Sequence, residues 1–188
     1  MEFRILGPIE AIDGDRPLAL GGSKQRALLG MLLLHAGEVV SSDRLIDELW
    51  PGERREEAVK SLQVAVSRLR KALEPGRRAG TASRLLITRA PGYELRAAPE
   101  RIDAKRFEAL AERGRRALSH GAAREARERL DEALELWRGP PLADLAYESF
   151  CQAEIGRLED LRVGVLEERT RPASSSGSMQ SWSASFAP

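Results

Sequence analysis

The sequence predicts a mainly α protein with small β elements, divided into two parts near residue 97. Three observations lead there. Short β-prone runs and turn residues crowd the stretches 3–20 and 85–96, while apolar residues recur at helical spacing through 24–73 and again through 103–165. Charge divides at the same place: residues 1–99 hold 16 Lys/Arg against 13 Asp/Glu, and residues 100–170 hold 13 against 16. The 188-residue chain, 42% hydrophobic and 31% charged, is long enough for one or two real cores, and its single cysteine, Cys151, excludes an internal disulfide and fits a small core residue.

The elements follow in order. Phe3 to Pro8 and Ile9 to Ile12 are short β-prone runs, and Asp13-Gly14-Asp15 is a hairpin turn signal leading into a third run, Pro17 to Leu20. Ser23 is placed to cap a helix with Ala27, Leu28, Met31, Leu32 and Leu34 at helical spacing, closed near Gly37. Val39-Val40 is an extended link. Ser41, Ser42 and Asp43 are candidate caps for a helix over Arg44 to Trp50, whose Leu45, Ile46, Leu49 and Trp50 form a buried side.

The next helix, Ala58 to Leu73, carries the functional signal. At about 100° per residue, Val59, Leu62, Val66, Leu69 and Leu73 share a narrow arc, with Lys60, Ser61, Val64, Ser67, Arg68 and Lys71 roughly opposite. No Asp or Glu occurs between Ala58 and Ala72, whereas solvated surface helices usually mix signs for i,i+4 pairing. Glu56 and Glu57 complement the positive end of the helix, and Pro75-Gly76 terminates it. From Ala58 to Gly92 the eight basic residues, Arg77, Arg78, Arg84 and Arg89 among them, face one acid, Glu74. Two short β-runs around Arg89-Ala90-Pro91-Gly92 then form a hairpin. Three strands, three helices and a hairpin is the element order of a winged helix-turn-helix, whose third helix enters the major groove of DNA and whose hairpin is the wing.

On that reading Lys60, Arg68, Lys71, Arg77 and Arg78 neutralise phosphates. Ser61, Val64 against a thymine methyl, Ser67, and Arg68 against guanine are the candidates for base edges. Arg70 lies nearer the buried arc, which gives it a flanking phosphate. In the second part Asp103 is placed to cap a helix with Phe107, Leu110 and Leu118, and Gly121 separates it from another with Ala126, Leu130, Leu134 and Trp137. These are antiparallel helices of the tetratricopeptide (TPR) kind. Pro140-Pro141 breaks the pattern before a third helix with Phe150, Ile155, Leu158, Leu161 and Val165 on one face.

Val64-Ala65-Val66-Ser67-Arg68-Leu69-Arg70-Lys71-Ala72-Leu73 and Thr88-Arg89-Ala90-Pro91-Gly92-Tyr93-Glu94-Leu95 resemble the DNA-binding domain of OmpR-type winged-helix regulators. The opening FRILGPIEA, LGGSKQRALL and DRLIDELWP are similar to one branch, the Streptomyces antibiotic regulatory protein (SARP) family. Ile102 to Phe107 and Leu136-Trp137-Arg138-Gly139-Pro140-Pro141-Leu142 look like the bacterial transcriptional activation domain that follows the winged helix in that family. The resemblance implies a DNA-binding domain over 1–97, a helical activation domain over 98–170 and a tail over 171–188. It also implies that Arg89 reaches the minor groove, that Tyr93 contacts the DNA backbone, and that monomers pair on direct repeats near promoters and recruit RNA polymerase to activate antibiotic gene clusters.

The tail departs from the family. With seven serines and no acid it is expected to be disordered, and a helical domain stopping after about three helices suggests a truncated or frame-altered form.

Other classes lack parts. His35 and His120 are isolated, no Cys/His metal spacing exists, and Gly21-Gly22-Ser23-Lys24 lacks the phosphate-loop spacing, so neither an enzyme nor a cofactor site is expected. No apolar run spans a bilayer and the N-terminus lacks signal-peptide order, which places the chain in the cytoplasm, on the nucleoid. The rival reading is a protein-binding adaptor that uses the helical part.

Overall fold

The computed structural model describes residues 1–78 and 80–170. The expectation of a disordered tail therefore falls outside the described residues.

Strands β1 (Glu2–Arg4), β2 (Glu10–Asp13) and β3 (Arg16–Pro17) form an antiparallel sheet in that order, with Phe3 opposite Ala11 and Ile12 opposite Pro17. The Asp-Gly turn is present, Gly14 taking φ +61°. The third strand is shorter than the expected run to Leu20. Pro17 has no N–H to extend the ladder, and the chain leaves the sheet after Leu18 N–H donates to the Ala11 carbonyl at 2.9 Å.

Helix α1 (Ser23–Leu34) is the centre of the molecule. Every residue from Ala27 to Leu33 is buried, so the helix is enclosed on all sides rather than amphipathic. Its N-cap is Gly22 and no side chain caps it, so Ser23 is the first helical residue and not the expected cap. Strand β4 (Val39–Ser41) leads into α2 (Ser42–Leu49), capped by Ser41, whose Oγ accepts from Arg44 N–H at 3.2 Å. Trp50 closes α2 from inside the core.

The third helix, α3 (Arg55–Leu73), starts three residues before the expected Ala58, because Arg54 takes the extended N-cap conformation. The hairpin β5 (Leu86–Arg89) and β6 (Gly92–Leu95) follows. The stretch expected to be only a link, β4, is the third strand of that hairpin, and the sheet order is β4-β6-β5.

Helices α4 (Asp103–Ser119) and α5 (Ala123–Glu135) form an antiparallel pair about Gly121, which takes φ +74°. They approach closely: a Cβ added to Gly114 would stand 2.6 Å from Leu130 Cδ2. The Phe107 ring meets Trp137 edge to face at 5.2 Å, and α6 (Gln152–Thr170) brings Arg162 over the Trp137 ring at 4.6 Å. Phe150, expected on α6, sits in the 3-10 turn before it.

Residues 136–151 do not simply link α5 to α6. They fold back onto the first half, where Leu145 is buried so tightly on α1 that a Cβ at Gly30 would meet its Cδ1 at 2.5 Å. Leu142, fully buried at φ +51°, donates its N–H to the Ile5 carbonyl at 2.8 Å, and Arg138 N–H donates to the Leu6 carbonyl at 2.8 Å. A left-handed leucine is costly and persists only where its surroundings fix it.

Asp103 corrects the sequence expectation of a helix cap. The α4 N-cap is Ile102, and the buried Asp103 carboxylate instead accepts Ile5 N–H at 2.7 Å and Leu6 N–H at 3.0 Å, besides its neighbour Ala104 N–H. Arg138 stands 3.7 Å away. Burial pushes the carboxyl above its ordinary range, and the three N–H groups and Arg138 pull it back.

Asp103→Ala strands two buried N–H groups at ~1–3 kcal/mol each, so urea denaturation is expected to show a loss of about 3 kcal/mol. An Asp160→Ala control at an exposed site should stay within about 0.5 kcal/mol of the parent. Cys151 is buried and its thiol is pushed up to about 12 by that burial. It should resist a disulfide-forming thiol reagent near neutral pH in the folded protein and react promptly in urea.

Candidate nucleic-acid interface

Two forces fix α3. Ala58, Leu62, Ala65, Val66, Leu69 and Leu73 are buried against α1 and α2, each large side chain contributing ~1.5–3 kcal/mol of burial. This seam differs from the expected one at its edge: Val59 is 36% exposed and the small Ala58 and Ala65 are inside, since close helix packing selects small side chains there. Glu56 and Glu57 in the first turn and Arg70 and Lys71 in the last complement the helix dipole.

The opposite face is open. Lys60, Val64, Ser67, Arg68 and Lys71 are exposed together, with Ser61 half-buried at the margin. Val64, 48% exposed, places an aliphatic side chain among these polar ones. Neighbouring arginines have acidic partners, Arg54 with Glu57, and Arg55 with Asp43 and Asp47. Among the described residues Lys60, Arg68 and Lys71 have none. Gln63 is exposed on the same face and was missed by a search for charge. Its angular position was the available signal.

The remaining sequence candidates are placed differently. Arg77 is half-buried and braces the loop after α3, donating to the Thr81 carbonyl and lying 4.0 Å from Glu74. Arg78 is exposed in that loop. Arg70, expected as a flanking cation, is turned into the hairpin: Nε donates to the Leu86 carbonyl and Nη2 to Thr88 Oγ1, both at 2.8 Å. Its guanidinium lies 5.8 Å from the centroid of the half-buried Tyr93 ring. Burial lowers the Arg70 pKa from its ordinary value, with Tyr93 opposing.

The hairpin presents Arg89 near its tip, 62% exposed at the side chain and 2.9 Å from Glu94 Oε2. Arg96 holds the other Glu94 oxygen at 3.3 Å. The Arg89 hydrogen bond above all, then Arg96, holds the Glu94 carboxyl below the ordinary carboxylate range against the opposing effect of burial. The hairpin is seated on the helix-turn-helix through β4, where Gly92 passes so near that a Cβ would stand 1.9 Å from the Val40 carbonyl oxygen.

Among the described residues no group of three or more His, Cys, Asp or Glu could hold a metal ion, and no helix is long and apolar enough to cross a membrane.

Comparisons with known proteins agree with this layout. Residues 15–95 match the family described as transcriptional regulatory protein, C terminal, and residues 102–185 match the bacterial transcriptional activator domain. The chain is 36% identical over 172 residues to regulatory protein DnrI of Streptomyces peucetius, covering 90% of this chain and 63% of that protein. It is also 36% identical over 170 residues to regulatory protein AfsR of Streptomyces coelicolor, where the match covers 90% of this chain and 16% of the relative. The structure of Mycobacterium tuberculosis EmbR in complex with a low affinity phosphopeptide superposes with TM-score 0.81 at 33% identity, covering 89% of this chain and 44% of that one. The chain thus spans less than two thirds of the length of these relatives.

Gly92→Ala is expected to separate β6 from β4, so that limited proteolysis cuts within 84–96 well before any site in α1 or α3. With an OmpR-type winged helix and a bacterial transcriptional activator domain in that order, the chain belongs to the SARP family of transcriptional regulators.

Proposed function

We propose that the protein is a sequence-specific DNA-binding transcriptional activator whose α3 enters the major groove. One observation carries this reading: the face of α3 turned away from the core is exposed, free of acid between Ala58 and Ala72, and holds Lys60, Arg68 and Lys71, which have no acidic partner among the described residues. Lys60, Lys71 and Arg78 neutralise phosphates and release counterions. Gln63, Val64, Ser67 and Arg68 face the base edges, with Arg68 suited to guanine, Gln63 to adenine and Val64 to a thymine methyl, and Ser61 at the margin. Arg89 exchanges Glu94 for the minor groove, and Tyr93 contacts the DNA backbone.

Membership of the family supports the rest of the proposal. Monomers pair on direct repeats near promoters, the helical part recruits RNA polymerase, and the regulated genes belong to antibiotic or secondary-metabolite pathways.

Selection of bound fragments from a random duplex pool, followed by anisotropy titration at two salt concentrations, tests the DNA reading. Arg68→Ala is expected to cost about 1–3 kcal/mol on the selected site and to relax one base position. Lys71→Ala should weaken all sequences alike and reduce the salt slope by about one. A protein that only docks other proteins would enrich no sequence from the pool.

A further inference from the structure

Among the described residues Arg70 is the cation of α3 whose forked donors are turned onto the hairpin. Its Nε and Nη2 both end on β5, at the Leu86 carbonyl and at Thr88 Oγ1, while its guanidinium carbon lies over the ring of Tyr93 on β6, 5.8 Å from the centroid. Thr88 and Tyr93 are directly opposite one another in the hairpin register, so a single guanidinium holds a cross-strand pair and ties both strands to the last turns of α3. Among the described residues no other side chain of α3 hydrogen-bonds to the hairpin. We propose that Arg70 is a positioning residue that sets the pitch of the wing against the recognition helix, and that it does not itself neutralise a phosphate. This deepens the DNA-binding reading, on which its functional consequence rests.

The physical argument is one of geometry. A winged helix contacts two grooves, and the spacing between them on the duplex is fixed, so the angle between α3 and the hairpin decides whether Arg89 and the base-reading face engage together. The main chain fixes that angle through β4 pairing with β6, through Ser42 N–H to the Pro91 carbonyl and Gly37 N–H to the Leu95 carbonyl, and through the α3–β5 loop; all but the loop act on β6 and the tip rather than on β5. β5 is the outer strand of the sheet and has no backbone partner beyond β6. Arg70 supplies the missing tie on its α3-facing side. A lysine in its place keeps the charge but presents a single point donor that cannot satisfy the Leu86 carbonyl and Thr88 at once.

The test has one arm with DNA and one without. Without DNA, amide hydrogen exchange is compared between the parent, Arg70→Lys, Arg70→Met and Thr88→Val. Exchange at Leu86–Leu95 is expected to rise by roughly tenfold in both Arg70 variants, on the scale of the net loss of one or two hydrogen bonds, and less in Thr88→Val, with α1 and the first turns of α3 unchanged. With DNA, the probe is the duplex selected from the random pool by the parent protein. Both Arg70 variants are expected to lose affinity by about tenfold and to lose the wing's hydroxyl-radical protection. Their salt slope should stay at the parent value.

A phosphate contact would behave oppositely. Arg70→Lys would keep affinity, Arg70→Met would lower the salt slope by about one, and hairpin exchange would not move. Any of those three results overturns the assignment. Should the parent select no sequence at all, the DNA-binding reading fails, and the exchange arm alone still decides whether Arg70 sets the wing.

Discussion

The interaction on which the molecule depends is the buried Asp103 carboxylate. It takes the N–H groups of Ile5 and Leu6, 98 and 97 residues away in sequence, at the point where the chain turns out of β1 and has no strand partner left. A second set of bonds completes the stretch: Ile9 N–H to Asp144, and the carbonyls of Ile5 and Leu6 to the N–H groups of Leu142 and Arg138. Backbone polar groups cannot be buried unpaired, so the winged helix obtains from the helical half the partners its own sequence does not provide. α1 then lies between the two halves, which explains why its apolar residues are not confined to one face.

The helices were legible because burial leaves a periodic mark in sequence. Every long helix was expected within a few residues of its place, and the Asp-Gly and Pro-Gly turns marked both hairpins. What was not legible depended on meetings between distant residues. Val39–Ser41 looks like a link, because three residues carry no period and their partner, Gly92–Glu94, lies some fifty residues on. Asp103 before an apolar helix is locally indistinguishable from an N-cap, and only the arrival of β1 gives its carboxylate other donors.

The same distinction runs through the DNA-facing candidates. Exposure of Lys60, Val64, Ser67, Arg68 and Lys71 follows from helix geometry, which sequence contains. Arg70 and Arg77 have the same chemistry, yet one is folded into the hairpin and the other into a loop. No helical wheel records where a hairpin carbonyl will stand. Gln63 escaped for the converse reason: it shares the exposed face but adds nothing to a charge pattern. Val59, expected inside, lies at the exposed margin, and Ala65 is buried, because a wheel weighs large apolar groups while close packing against a neighbouring helix admits small ones.

The segment Ile5–Ile9 has a consequence for biosynthesis. Its donors and acceptors are completed by residues 103–144, so a nascent chain that has exposed only the winged helix holds this segment without its bonds. Burial of Ile5–Ile9 with its polar groups paired therefore requires α4 and the loop after α5, although the ladder of β1 to β3 lies within residues 2–17. The amino-terminal half is thereby finished only once the half behind it has been made, and a chain interrupted before Asp144 leaves Ile5–Ile9 without these partners.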